Sequence, residues 1–425
     1  MTKIYTVMLK ISGPQSLSGT VQISGSKNAA LPLIACGLFF DHFTLHNVPK
    51  IGDVLTFISI IESLGAQIVW NGSSITLDNS RLSIDHLDRD KIRKIRVGIF
   101  LFPALLARFG ALEIPYPGGC NIGKRPIDEH LSAFLAYGYK NMGEGENIAF
   151  QGADHGKDIT LRANFAVTAT ENILMMAAFR PAKTTIELAA IEPHVMNLVD
   201  FLRGLGIRID IDMHHNIVIY GSIIDRKEAE ATVICDYIES GTFIILGALT
   251  AEPSIRIEGA RIGDLTAFLG KCSDAGVRYD LDREHDTLTV YNSRTSIRPT
   301  NIQTNIFPGF PTDLQSPFAL MLTQAEGISR IHEVLFEGRL NWLIEVEKMK
   351  GHIAIMNPHE AMIFGKTHLK GTTVSSWDLR AGVTMILAGM IARGDTLITN
   401  VEYIERGYED IVGKIAKLGG VISKE

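Results

Sequence analysis

The sequence is poor in cysteine, in long apolar runs and in net charge. Only four cysteines occur in 425 residues: Cys36, Cys120, Cys235 and Cys272. None stands in a CxxC pair or at zinc-ligand spacing from a histidine, so neither a disulfide scaffold nor a zinc site is expected. Cys36 and Cys235 sit in apolar surroundings and read as small buried hydrophobes. The longest apolar run, Ala29 to Phe40, is too short to span a bilayer. A net charge of -6 gives no global attraction to nucleic acid or to an anionic membrane. Any anion site must therefore be built from locally clustered cations. The chain carries no GxxxxGK[ST] loop, no HExxH pair and no Ser/His/Asp order. The early alternation of Ile4, Thr6, Met8 and Lys10 suits a strand rather than a signal peptide, which makes the cytoplasm the expected compartment.

What is present is length and repetition. At 425 residues the chain exceeds what one hydrophobic core usually supports, so two domains are expected. No Pro-, Ser- or Gly-rich linker separates two halves. Six segments share one pattern: a short alternating strand, an irregular connection, then an amphipathic helix closing at a glycine. The strands begin near Phe43, Leu112, Thr184, Ser254, Ser329 and Thr396. The closing glycines are Gly65, Gly138, Gly206, Gly276, Gly351 and Gly419, each expected to cap a helix in the left-handed conformation. This long repeat predicts a compact α+β unit with several strands and two helices, used six times.

The loop Pro117-Gly118-Gly119-Cys120-Asn121-Ile122-Gly123-Lys124-Arg125-Pro126 places a thiol among glycines, with two cations close behind. Glycine lets the backbone approach a ligand, and nearby positive charge raises the thiolate fraction. A Gly-rich turn with an incidental cysteine is the bland alternative. Lys27 follows Ser24-Gly25-Ser26 and enters an apolar helix, where first-turn amides and the ammonium suit an anion. Arg96 ends a basic run and borders an apolar helix. Arg380 and Arg406 each neighbour an acid, so ion pairing competes with anion binding at both. Asp313 follows a proline turn and stands as a candidate base, with helix capping as the commoner role. His130 follows Asp128 and Glu129 on the helix after the loop and is expected to contact the site only indirectly.

Five stretches then stand in order: Gly25-Ser26-Lys27-Asn28-Ala29-Ala30, the Cys120 loop through Pro126, Phe310-Pro311-Thr312-Asp313, Asp378-Leu379-Arg380 and Arg406-Gly407-Tyr408. On these the chain resembles, nearly end to end, the UDP-N-acetylglucosamine 1-carboxyvinyltransferases, enolpyruvyl transferases of peptidoglycan synthesis. The resemblance implies an inside-out α/β barrel fold of two domains with three repeated units each, as in EPSP synthase. It implies residues 1–26 plus 235–425 as one domain and 27–234 as an inserted domain carrying the Cys120 loop. It implies phosphoenolpyruvate and UDP-N-acetylglucosamine as substrates, with no metal or organic cofactor.

By the same resemblance Cys120 is the general acid and Asp313 the base for the sugar hydroxyl. Lys27, Arg125 and Arg406 hold the phosphate and carboxylate of phosphoenolpyruvate, and Arg380 lies close by. Asn28, Arg96, Asp313 and the backbone at Leu335 contact the sugar nucleotide. Arg125, Pro126, Ile127, Asp128 and Glu129 lie along the uridine. The family's Lys-x-Ser-Val-Gly run, which cradles the diphosphate, reads Asn164-Phe165-Ala166-Val167-Thr168 here, so a cation and a hydroxyl are expected to be lost, with Thr168 and Thr170 close by. The family's Asp-Arg-Ile-Glu-x-Gly-Thr run reads Asp236-Tyr237-Ile238-Glu239-Ser240-Gly241-Thr242. A different nucleotide acceptor and a non-catalytic sugar-nucleotide binder stand as the alternatives.

Overall fold

The computed structural model describes residues 7–118, 126–224 and 227–425. They separate into two compact units: 7–24 with 235–425, and 25–118 with 126–234.

Each unit is organised on three helices that are mostly apolar and mostly buried. A helix with no polar face must be enclosed. In the first unit these are Tyr237–Thr250, Gln315–Leu322 and Leu379–Ile391, whose residues are almost all buried. In the second they are Lys27–Gly37, Leu101–Phe109 and Val167–Ala178. Within each unit the three helices touch one another, and a single apolar cluster surrounds them.

Sheets lie outside these helices. Five of the sheets repeat one plan: a central strand with a parallel neighbour on one side and an antiparallel neighbour on the other. In the first unit the central strands are Ala251–Glu258, Gly327–His332 and Gly394–Thr399. Their parallel partners are Leu17–Gln22, Ile302–Gln303 and Thr373–Ser375. The last is completed by Leu9–Gly13, so the start of the chain supplies the antiparallel strand of the final repeat. In the second unit the central strands are His42–His46 and Lys183–Glu187, parallel to Glu228–Thr232 and Ile159–Arg162. The third, Ala111–Pro115, pairs antiparallel with Asn147–Gln151 and has no parallel partner among the described residues. All six repeated segments of the sequence fall on these central strands. Alternation does the sorting: Leu9 and Ile11 face inward while Ser12 is exposed.

Five of the six closing glycines have positive φ, from 80° at Gly276 to 109° at Gly138. Gly351 is the exception. The left-handed residue there is Lys350, at φ 69°. A side chain on Gly351 would sit 2.5 Å from Val346 Cγ1, so this glycine serves close approach rather than the turn. Cys36 and Cys272 are buried, and burial pushes both thiols well above their ordinary range. Cys235 is only partly buried, short of the expectation of a core residue.

Among the buried polar groups on these helices, one carboxyl stands out. Glu171, on the enclosed helix Val167–Ala178, is 1% exposed, and its Oε1 has no hydrogen-bond partner among the described residues. Burial, reinforced by the neighbouring Glu192, holds its pKa well above the ordinary carboxyl range. A folded-state pKa raised above the unfolded value contributes stability below the unfolded pKa, about 4.3, and loses it as pH rises. Glu171→Gln keeps the shape of the protonated acid. It should raise the unfolding midpoint at neutral pH, with the gain shrinking toward about pH 4. Thermal melts across pH check this; parallel curves for both proteins would contradict it.

Candidate active site

Asp313 sits in the short 3-10 turn Thr312–Leu314, just before Gln315–Leu322. It does not cap that turn, whose N-cap is Pro311 with no side-chain bond. Helix capping is therefore excluded, and the carboxylate is held by cations instead. Arg380 Nε and Nη2 both donate to Oδ2, at 3.2 and 3.1 Å. Arg339 Nη2 donates to Oδ1 at 2.5 Å. Both arginine side chains are buried, while the carboxylate keeps 26% exposure. One edge of the acid thus stays accessible while its charge is fixed in place.

Arg380 is positioned by its own helix, Leu379–Ile391. The N-cap Asp378 accepts from the Arg380 and Ala381 amides at 2.7 and 3.0 Å. The acid beside Arg380 in sequence is therefore a cap, and the arginine's ion partner lies 67 residues away. The guanidinium lies 5.2 Å from the centre of the Tyr408 ring, and Tyr408 Oη is 2.9 Å from Thr242 Oγ1. Burial opposes the charge on Arg380, but Tyr408, Asp313 and Asp236 outweigh burial and raise its pKa. Burial likewise raises the Asp236 pKa, and Arg380 draws it back part of the way.

Glu333, fully buried, accepts from Thr304 Oγ1 at 2.9 Å and Thr312 Oγ1 at 2.6 Å. It also accepts from the amides of Leu335 and Phe336 at 2.9 and 3.3 Å. This pins the Asp313 turn to the 333–336 loop. It also occupies the Leu335 N–H, so of the backbone at Leu335 the carbonyl remains for a ligand. Arg406 is half-buried at the end of the short helix Glu402–Glu405. In the 236–242 run, Asp236 caps Tyr237–Thr250 through the Ile238 amide. Glu239 accepts from Lys414 Nζ at 2.6 Å and from the Ser24 amide at 2.8 Å. Burial raises the Glu239 pKa, and Lys414 offsets part of that rise.

In the other unit Lys27 opens its helix, preceded by Gly25, where a side chain would meet the Asn47 carbonyl at 1.9 Å. Lys27 Nζ lies 3.1 Å from Asp53 Oδ2, and both side chains are nearly buried. Asn28 follows, half-buried. Pro32 has no N–H to give the Asn28 carbonyl its usual helical bond. Arg96 Nη2 donates to the Pro126 carbonyl at 3.0 Å. Ile127 is buried, and Asp128 and Glu129 form the first turn of Asp128–Tyr137. Glu129 Oε1 accepts from Asn164 Nδ2 at 3.3 Å, and His130 Nε2 meets Thr168 Oγ1 at 3.0 Å. The 126–130 segment and the 164–168 stretch are thereby joined. Cys120 and Arg125 lie outside the described residues.

Arg339, Glu333, Asp53 and Lys414 were not singled out in the sequence. Each bonds to a residue at least 20 positions away. Only Arg339-Leu340-Asn341-Trp342, a cation entering an apolar stretch, offered a local signal. Arg162 was passed over too. It ends the strand Ile159–Arg162, exposed and 3.2 Å from Glu187, two residues ahead of Asn164. Among the described residues no group of three or more His, Cys, Asp or Glu could hold a metal ion, and no helix is long and apolar enough to cross a membrane.

Residues 11–415 match the family described as EPSP synthase (3-phosphoshikimate 1-carboxyvinyltransferase). The chain is 37% identical to a UDP-N-acetylglucosamine 1-carboxyvinyltransferase of Campylobacter hominis, over 98% of this chain and 99% of that one. The chain belongs to the UDP-N-acetylglucosamine 1-carboxyvinyltransferase family. A second member, from Xylella fastidiosa, is 36% identical over 97% of this chain and 98% of its own. Among solved structures, the enolpyruvyl transferase NikO from Streptomyces tendae superposes with a TM-score of 0.88 at 25% identity, covering 99% of both chains. An EPSP synthase from Acinetobacter baumannii shares the fold, with a TM-score of 0.73 at 15% identity over 99% of this chain and 100% of that one. Like its family, the chain is an enolpyruvyl transferase.

The Asp313 clamp has a thermodynamic signature. Arg339→Met and Asp313→Asn should each lower the unfolding midpoint. The double variant should be less destabilised than their sum by about 1–3 kcal/mol, because the second change removes the group stranded by the first. Denaturant unfolding of the four proteins checks this; strict additivity would contradict it.

Proposed function

We propose that this chain transfers the enolpyruvyl group of phosphoenolpyruvate to the 3-hydroxyl of UDP-N-acetylglucosamine and releases phosphate, the first committed step of peptidoglycan synthesis. The observation that carries the reading is the Asp313 carboxylate, partly exposed and gripped by two buried guanidinium groups. It combines a proton acceptor with fixed positive charge, which a reaction between a hydroxyl and a multiply anionic substrate requires.

In this reading Cys120 gives its proton to the methylene carbon of phosphoenolpyruvate, making the central carbon electrophilic. The sugar 3-hydroxyl adds there as Asp313 takes its proton. Phosphate then leaves, and loss of a methyl proton restores the vinyl group. Lys27, Arg125 and Arg406 hold the phosphate and carboxylate, with Arg380 beside them. Lys27 Nζ spends one proton on Asp53 and keeps two for substrate. Asn28, Arg96, Asp313 and the Leu335 carbonyl contact the sugar nucleotide, while Arg125, Pro126, Ile127, Asp128 and Glu129 lie along the uridine. The domain over 27–234 carries the Cys120 loop, and residues 1–26 with 235–425 carry the base. The cytoplasm is the compartment that goes with this reading, since both substrates are multiply charged and cannot cross a bilayer unaided.

A different nucleotide acceptor is the second reading. The 164–168 stretch favours it: Asn164 and Phe165 both have positive φ there, and Phe165 packs edge-on against His215 instead of offering a polar group.

Purified protein given phosphoenolpyruvate and UDP-N-acetylglucosamine should release phosphate. Release only with another nucleotide would support the second reading, and no release with any would leave a non-catalytic binder. Cys120→Ser should lose turnover by about 100-fold or more and resist alkylation by the epoxide fosfomycin. Full labelling of that variant would remove Cys120 from its role.

A further inference from the structure

We propose that His130 is a positioning residue for the acceptor's diphosphate, acting through the hydroxyl of Thr168. The inference rests on the reading above, in which that diphosphate lies against residues 164–168.

Asn172, on the same helix as Thr168, is fully buried. Its Nδ2 donates to the Ile99 carbonyl at 3.0 Å. A carbonyl only accepts, which fixes the end of the amide that carries nitrogen. The same Nδ2 lies 2.9 Å from His130 Nδ1. That ring nitrogen must therefore accept, and the ring proton sits on Nε2. Nε2–H then donates to Thr168 Oγ1 across 3.0 Å. His130 is only 2% exposed; burial, helped by the charge of Arg96, lowers its pKa to about 3. The ring is neutral at working pH, and the direction of the relay does not reverse.

Thr168 is left with a defined task. Its oxygen already accepts from the ring, so its own proton points away from His130. Among the described residues the side chain of Thr168 has no hydrogen bond besides the one with His130, so that proton meets no protein acceptor. Thr168 is half-exposed, in the first turn of the twelve-residue helix Val167–Ala178, whose start has no side-chain cap. The first-turn amides of Val167, Thr168 and Ala169 point the same way. Three amides and one oriented hydroxyl form a donor cluster for a phosphate group. Thr168 is the one hydroxyl in the stretch, since Asn164 is turned to Glu129 and the residues between are apolar.

The relay also carries an internal penalty. Asn172 Oδ1 is buried with no hydrogen-bond partner among the described residues. A buried carbonyl left unpaired is unfavourable, and an apolar side chain at 172 would avoid it. What the asparagine provides in return is the tautomer of His130. His130 and Asn172 thus act at one remove, and Thr168 makes the contact.

The test is calorimetric binding of UDP-N-acetylglucosamine to wild type, His130→Phe, His130→Gln, Thr168→Val and the double variant His130→Phe/Thr168→Val. His130→Phe and Thr168→Val should each weaken binding about tenfold, as expected for one hydrogen bond to a charged group. The double variant should bind no more weakly than Thr168→Val alone. His130→Gln, whose amide can donate from the Nε2 position, should recover affinity. The KM for UDP-N-acetylglucosamine should rise in His130→Phe well beyond any change in that for phosphoenolpyruvate, a split that general loosening of the fold would not produce. Wild-type affinity in His130→Phe, or additive losses in the double variant, would overturn the inference while leaving the function intact. Wild-type protein that binds no UDP-N-acetylglucosamine would overturn the substrate reading and this inference together. If His130→Phe does not fold, unchanged affinity in Thr168→Val still overturns it.

Discussion

The carboxylate of Asp313, shared between Arg339 and Arg380, is the interaction on which the rest of its unit turns. Two buried guanidinium groups need an anion beside them, and Asp313 supplies it. Much of the surrounding structure serves this arrangement. Asp378 caps the helix that delivers Arg380. Glu333 joins the Asp313 turn and Thr304 to its own loop through four hydrogen bonds. The three all-buried helices give these charged groups a rigid background, since an apolar helix enclosed on every side has no room to reorient.

The unit over 25–234 arranges its charged groups differently. Its cations are spread out and individually tethered: Lys27 to Asp53, Arg96 to the Pro126 carbonyl, Arg162 to Glu187. Each tether narrows the positions its charge takes up. The 126–130 and 164–168 segments are stitched by Glu129 to Asn164 and His130 to Thr168.

Architecture was legible because it is written in local periodicity. Six strands and six helix-closing positions could be found by alternation and by glycine, and the structural relatives share that fold. The one lapse, Gly351, shows the limit: a glycine kept for close packing and one kept for a left-handed turn look alike in sequence. The site was legible in part. Lys27, Asp313 and Arg380 announce themselves through their neighbours. Arg339 does not, because what defines it is a carboxylate 26 residues away. Asp378 misled for the opposite reason, since it sits beside Arg380 in sequence yet bonds to backbone. The 164–168 stretch itself holds no cation; Arg162 lies two residues before it, paired with Glu187.

The central claim is that Asp313 removes the proton of the attacking hydroxyl rather than merely balancing two arginines. Asp313→Asn separates the two, because asparagine keeps the shape and can still accept a hydrogen bond but is not a base at neutral pH. The decisive measurement compares substrate binding and single-turnover phosphate release in this variant, at a temperature where it is folded. Binding of UDP-N-acetylglucosamine close to wild type, with release slowed by about 100- to 10,000-fold, is the predicted result. Release near the wild-type rate would contradict the account.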